Sequence, residues 1–366
     1  MTITEKILAA HAGRPAVEPG EFVTVRVDLV MGNDLSTAGA IGVLRRMGAR
    51  RVFDPARVAI VLDHVVPAKD AAAATMLGSV RAWVREQGIA AFYDEGRQGI
   101  AHVVLPEQGL VGPGDLVIGG DSHSCTYGAV GAFATGVGHT DLAGVLALGE
   151  TWLKVPASLR LVYHGTPGRF VMGKDLILAT LGRLSIDGAL YQAMEFTGPV
   201  VERLSMSERL TMCNMAIEAG GKSAIVAPDE TTLDYVRGRA RRPWTVYRSD
   251  ADARYAAEHD FEATGLRPQV ARPFSPDNVC AVDEVAGTPL DQVFIGSCTN
   301  AKLDDLRVAA GILRGRKAHP ATRLIVIPAS TWIWQQALKE GLLEVFSEAG
   351  AAVSTPTCGA CFGGHM

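Results

Sequence analysis

DLVIGGDSHS, residues 115–124, decides the fold class. An apolar run of strand type, Asp115–Gly119, ends in two glycines and then in Asp121, Ser122 and His123. The same order, strand first and polar loop second, recurs in RVAIVLDH (57–64), which ends on Asp63 and His64, and in QVFIGSC (292–298), which ends on Cys298. Open α/β sheets collect their ligands at the carboxyl ends of strands. Three such loops therefore predict one shared cleft. Further strands are predicted at Leu159–Tyr163 and Arg323–Pro328. Helical periodicity is read at Thr37–Met47, Asp70–Gln87, Thr140–Leu153, Met206–Ala219, Leu303–Leu313 and Trp332–Glu348. Strands alternating with helices are the pattern of α/β layering.

The length of 366 residues suits two or three domains. Pro156 precedes the strand expected to open a middle domain. Thr231–Ser275, rich in Arg, Asp and Pro, reads as the exposed end of that domain and a linker. Hydrophobic residues are 48% and charged residues 20%, a soluble globular balance. The net charge of −4 offers no field for nucleic acid or an anionic membrane. No apolar run approaches the roughly 20 residues a membrane span needs. MTITEKILAAHAG, at the start, lacks the basic and apolar regions of a secretory signal, and reads as a helix capped by Thr2 or Thr4. Six cysteines in such a chain fit a reducing, cytoplasmic setting, where clustered thiols bind metals or catalyse.

Most of the candidate motifs are weak one at a time. Asp63 beside His64 can fix a tautomer or raise the imidazole pKa for general acid work, or merely cap a strand end. His102, in the apolar run GIAHVVLPE, is by itself the pattern of a core histidine. Asp121, Ser122 and His123 cannot form a hydrolase triad, because neighbours in sequence do not point at one another. They can each face a cleft from one tight loop. Glu195 in MEFTG is uninformative alone, and Cys125 reads as small buried filler.

The other cysteines are stronger. Cys358-x-x-Cys361 in TPTCGACFGG is a chelating spacing, and Cys298 in IGSCTN lies at a strand end sixty residues earlier. Closed zinc or iron–sulfur sites normally take four protein ligands. Three thiolates on a cubane leave one iron open, which suits a Lewis acid. The glycines around them let backbone N–H groups approach the sulfides.

Taken together, MGND (31–34), LDHVVP (62–67), GIAH (99–102), GDSHS (120–124), MEFTG (194–198), GSCTN (296–300) and CGACFGG (358–364) resemble the aconitase superfamily, and within it the isopropylmalate dehydratase and homoaconitase large subunits. The resemblance covers essentially the whole chain. It implies a three-domain α/β/α architecture, with domains at 1–156, 157–270 and 271–366. It implies a [4Fe–4S] cluster on Cys298, Cys358 and Cys361, with an open iron for substrate. Asp63 and His64 match the family's Asp-His pair, whose histidine handles the proton of the departing hydroxyl. His102 and Asp121 match a second histidine–carboxylate pair, and Ser122 and His123 complete the motif at the substrate carboxylate. Glu195 is matched to the glutamate that contacts the iron-bound oxygen. Asn33 stands where aconitases carry a substrate-binding glutamine.

The implied activity is hydro-lyase chemistry, the isomerisation of 2-isopropylmalate to 3-isopropylmalate in leucine biosynthesis or a related reaction such as that of homoaconitase. The carbon-bound proton is implied to leave through a separate small subunit, in a heterodimer or heterotetramer. Relatives continue past the last cysteine with substrate-clamping arginines, so the third domain is expected to be incomplete. Two readings from other classes stay open: a cluster-free RNA-binding regulator, which the −4 charge disfavours, and a zinc or redox protein using Cys358 and Cys361.

Overall fold

A computed structural model describes residues 1–364. Three parallel sheets carry the architecture. The first has five strands in the order Ala91–Tyr93, Val58–Val61, Leu29–Asn33, Leu116–Gly119, Phe133–Gly136, all parallel. Its three central strands are buried at every position. That burial is why they read as apolar runs without alternation.

Leu29–Asn33 was not among the predicted strands, nor was Phe133–Gly136. The first ends in Gly-Asn, and the second is FATG. Neither carries a strong β signal outside its sheet. The predicted strands at 57–63, 115–119, 159–163, 292–296 and 323–328 all form, each end within two residues of its expected place.

The second sheet runs Ser223–Val226, Ala193–Thr197, Ser158–His164, Ala257–Glu262, again parallel. The third contains Gln292–Ile295, Arg323–Val326 and Ala352–Val353. One hydrophobic core joins residues of the first and second sheets, from Leu29 and Val117 to Leu161 and Phe196. A separate core lies under the third sheet and includes Cys298, with Ile100 and Val103 from the start of helix Ala101–Glu107.

Three expectations change. The helix expected at Thr140–Leu153 is His139–Leu148, with Gly138 as its cap. Gly149, in the left-handed region at φ 71°, ends it, and Glu150–Lys154 becomes a strand. The helix over 332–348 breaks at Gly341 into Thr331–Lys339 and Leu342–Glu348. The segment 239–250, expected as exposed linker, lies back across the first sheet's unit. There Arg242 pairs with Asp115 at 2.8 Å and donates to the Asp28 carbonyl at 2.5 Å.

Helix Ile3–His11 is held at both ends. Thr2 and Glu5 form a capping box. In the last turn, His11 Nε2 lies 2.6 Å from Asp28 Oδ2, and Asp28 also accepts the Leu116 N–H at 2.9 Å. Burial alone would lower the His11 pKa, but the Asp28 contact outweighs it and the net shift is upward. Asp28 is pushed up by burial and pulled further down by His11. The contribution of His11 is thus complete below its ordinary 6.5 and fades as pH rises through its raised value. That of Asp28 is present above its ordinary 3.8 and fades as pH falls through its lowered value. Replacing His11 with Gln should therefore cost about 1 kcal/mol near pH 5.5 and much less near pH 9, read as shifts in urea midpoint. An equal loss at both values would remove the ion pair from the account.

No helix among the described residues is long and apolar enough to cross a membrane.

Candidate active site

The carboxyl edge of the first sheet brings the predicted loops together. Asp63 and His64 follow Val58–Val61, Asp121 to His123 follow Leu116–Gly119, and Asn33 ends the strand between them. Close approach there demands glycine. A Cβ at Gly120 would lie 2.4 Å from the Ser36 hydroxyl, and one at Gly136 would lie 2.4 Å from the Asp121 carbonyl.

Asp63 is buried and works in two directions. Its Oδ1 meets His64 Nδ1 at 2.7 Å, and its Oδ2 accepts the Ala101 N–H at 2.8 Å. That second bond anchors the start of helix Ala101–Glu107, which carries His102. His102 Nε2 meets Asp121 Oδ1 at 2.8 Å, and its Nδ1 is 3.3 Å from the Tyr127 hydroxyl. Asp121 Oδ2 is 3.7 Å from His64 Nε2. One carboxylate therefore lies between two imidazoles.

His123 completes the group. Its backbone N–H donates to Asp121 at 2.9 Å, Nδ1 lies 3.1 Å from the Ser122 hydroxyl, and Nε2 lies 3.2 Å from Glu218 Oε1.

These contacts set the protonation states. Burial alone would lower the His64 pKa, but Asp63, then Asp34 and Asp121, raise it to about 9. Burial opposes protonation of His123 too, and Asp121 and Glu218 carry it to about 9. Burial would raise Asp121, yet His102 and His123 hold it well below the ordinary carboxylate range. The imidazole between Asp63 and Asp121 thus carries a proton at neutral pH and can give it up to a basic oxygen.

Two placements differ from expectation. Glu195 is not with this group. Its carboxylate accepts from Ser249 at 2.8 Å and Tyr255 at 3.2 Å, and Ser249 in turn accepts the Ile3 N–H. On its strand, Met194 and Phe196 enter the shared core, so the side chain of Glu195 emerges on the opposite face, against the N-terminal helix. The glutamate that does reach this group is Glu218, after helix Met206–Asn214, which meets His123. Asn33 faces the group, but its amide oxygen caps helix Asp34–Arg46 by accepting Ser36 N–H at 2.8 Å, and its nitrogen donates to Asp121 at 3.3 Å. Its role in the structure is to support Asp121.

The cysteines close the site from the third sheet. Cys298 is buried after Gln292–Ile295, in a turn whose Ser297 has φ 76°. A non-glycine residue in that region is strained. The turn is gripped from outside its own sheet. Lys174 Nζ donates to Thr299 Oγ1 at 3.2 Å, Thr211 Oγ1 donates to the Thr299 carbonyl at 2.6 Å, and the buried Lys302 ammonium reaches the same carbonyl. Cys298 Sγ donates to Asn214 Oδ1 at 3.5 Å. Cys358 N–H donates to the Asp63 carbonyl at 2.7 Å, which ties the chelating loop to the Asp-His loop. Phe362 places its ring 5.1 Å from that of His64. Cys125 is buried filler as expected, its thiol on the Asn214 carbonyl.

Asn214 and Glu218 were missed by sequence reasoning. The signal was Asn-x-x-x-Glu at a helix end, in MCNMAIEAG, and it lacks a strand-end context.

The donor set fits a cluster better than a single ion. Burial pushes the Cys298 thiol up to about 12 and raises those of Cys358 and Cys361, so a bound cation must displace their protons. Around a tetrahedral zinc, sulfurs at 2.3 Å from the metal lie about 3.8 Å apart. Among the described residues, the three sulfurs do not form a set within 4.8 Å of one another. The wider spacing leaves room for a group larger than one ion.

An α/β scaffold, an edge of histidine–carboxylate pairs and three thiols from the third sheet's unit suit a hydro-lyase class of site. The chain belongs to the aconitase family (aconitate hydratase), whose sequence profile matches residues 5–366. It is 57% identical over 366 residues to the 3-isopropylmalate dehydratase large subunit of Moorella thermoacetica, covering 100% of this chain and 87% of the relative. It is 56% identical over 371 residues to that of Aquifex aeolicus, covering 100% and 86%. It is 52% identical over 368 residues to 3-isopropylmalate dehydratase large subunit 1 of Pyrococcus furiosus, covering 100% and 87%. In fold it is similar to aconitase X of Thermococcus kodakaraensis in its holo-form, with TM-score 0.54 and 14% identity, over 97% of this chain and 83% of the other.

Proposed function

We propose that this chain is the large subunit of a hydro-lyase that interconverts 2-isopropylmalate and 3-isopropylmalate in leucine biosynthesis, by loss and return of water. One observation carries the reading: the His64 imidazole is held between the carboxylates of Asp63 and Asp121, beside the loop of Cys358. Hydroxide is a poor leaving group, so its departure needs both a proton donor and a Lewis acid. Cys298, Cys358 and Cys361 would hold a [4Fe–4S] cluster, which when bound supplies the Lewis acid.

His64 gives its proton to the departing oxygen from Nε2, because Nδ1 is fixed on Asp63. Asp121 keeps His102 and His123 oriented. Glu218 and His123 form a pair able to receive and return a proton on the far side of Asp121. Ser122, exposed next to His123, is free to meet a substrate carboxylate. The base for the carbon-bound proton comes from a small-subunit partner, in a heterodimer or heterotetramer. A division into domains at 1–156, 157–270 and 271–366 is part of this reading, supported by the one parallel sheet that falls within each range.

Anaerobic reconstitution followed by iron and sulfide analysis tests the cofactor, and about four of each per chain is expected. Replacing Cys298 with Ser should lower both in parallel. Near-stoichiometric zinc without sulfide would reject the cluster. Assay with the small subunit against 2-isopropylmalate, homocitrate and citramalate tests the substrate, and turnover of homocitrate alone would reject the isopropylmalate assignment.

A further inference from the structure

Asp34 has entered so far only as one of the charges that raise the His64 pKa. It is the first residue of helix Asp34–Arg46, and none of it is exposed. A carboxylate in a helix's first turn usually serves that helix. Asp34 does so only through Oδ1, which accepts the Leu35 N–H at 3.0 Å. Its Oδ2 reaches thirty residues along the chain, to the N–H of His64 at 3.1 Å and of Val65 at 2.8 Å. Oδ1 also lies 3.5 Å from His64 Nδ1, the nitrogen that Asp63 already holds.

The arrangement is costly. Burial first, and the charge of Asp63 second, push the Asp34 carboxyl up to about 6. A serine or asparagine would satisfy two backbone N–H groups without adding a second charge beside Asp63. Asp34, Asp63 and His64 are also the one set among the described residues with three potential ligand atoms within 4.8 Å of one another. A metal ion there is the weaker reading, because His64 Nδ1 is bound to Asp63 and both Asp34 oxygens already accept backbone N–H groups.

We propose that Asp34 is a positioning residue for His64, fixing the backbone of the His64-Val65 turn and placing a second carboxylate behind the imidazole so that Nε2 faces the cleft. This rests on the reading of His64 as the proton donor. The backbone bonds set where the ring pivots, and the paired carboxylates set which way it turns. Asp63 alone could hold Nδ1, but it is also committed to Ala101 and, through its carbonyl, to Cys358. Asp34 joins the same ring to a different element, the helix behind the central strand.

The test uses the cluster-loaded chain assembled with the small subunit. Asp34→Asn keeps an oxygen where the backbone N–H groups need one, and removes the charge. Expected is a fall in kcat of about 10-fold or more per mole of cluster, with KM within about twofold and the cluster EPR signal still perturbed by substrate. A purely structural tether would leave kcat per cluster unchanged in Asp34→Asn, and that result overturns the proposal. So does a rise in KM at constant kcat. Should Asp34→Asn fold poorly, Asp34→Ser is measured in the same way, and wild-type kcat per cluster there counts equally against it. His64→Ala is run alongside. Turnover surviving in His64→Ala sinks the reading of His64 and the role of Asp34 with it. An inactive His64→Ala beside a fully active Asp34→Asn sinks the Asp34 proposal alone.

Discussion

Replacing His64 with Ala is expected to lower kcat by about 10²–10⁴-fold while leaving the iron and sulfide content of the chain intact. The size follows from the position of the ring. Its Nδ1 is fixed on Asp63 at 2.7 Å and its Nε2 is 3.7 Å from Asp121, so no other group among the described residues occupies the same place with a proton to give. The cluster should survive because His64 is not one of the three thiol ligands. Its backbone link to them is the Asp63 carbonyl, which accepts Cys358 N–H and does not depend on the His64 side chain; the side chain itself touches that loop only through the Phe362 ring, at 5.1 Å.

The measurement is turnover by the reconstituted assembly, alongside the visible absorbance of the cluster. Loss of both together would mean that the ring holds the chelating loop in place, and the proton-donor role would fall. A small rise in KM with kcat unchanged would assign His64 to substrate binding.

Much of this site was legible because α/β proteins place chemistry at strand ends. Asp63, His64, Asp121, Ser122, His123 and Cys298 each follow an apolar run; the order of the first sheet brings the first two of those runs to one edge, and Cys298 comes from the end of a strand in the third sheet. His102 was readable only through its companions. Its pattern is that of a core histidine, and it is buried, but Asp63 caps its helix and Asp121 takes its Nε2.

Other parts were hidden for physical reasons. The central strand Leu29–Asn33 is covered on both faces, so nothing alternates along it. The segment 239–250 looked like linker because it is polar. Yet its arginine reaches the Asp28 and Leu110 carbonyls and Asp115, a use of charge that periodicity cannot register. Lys302, four residues past Cys298, is 4% exposed. Beside the local Thr299 carbonyl it donates to Thr211 on helix Met206–Asn214, a partner that no local pattern announces.

Glu218 and Glu195 offer the sharpest separation between sequence and structure. Replacing Glu218 with Gln should lower kcat by about 10²-fold or more, whereas replacing Glu195 with Gln should leave kcat within a few-fold and act on stability. The two carboxyls are in opposite states. The His123 bond draws Glu218 below its ordinary value, so it is an anion paired with an imidazolium. Burial raises Glu195, which accepts from two hydroxyls and faces no histidine. Removing the charge of Glu218 leaves His123 with Asp121 as its only carboxylate, and lowers the proton affinity of the ring. Removing that of Glu195 costs part of one hydrogen-bonded contact with Ser249 and Tyr255, about 1 kcal/mol. Steady-state kinetics on both variants, with thermal melts of each, read the two effects separately. If Glu195→Gln loses turnover at full cluster content while Glu218→Gln retains it, the glutamate at the chemistry is the one in MEFTG, and the contact between His123 and Glu218 is structural.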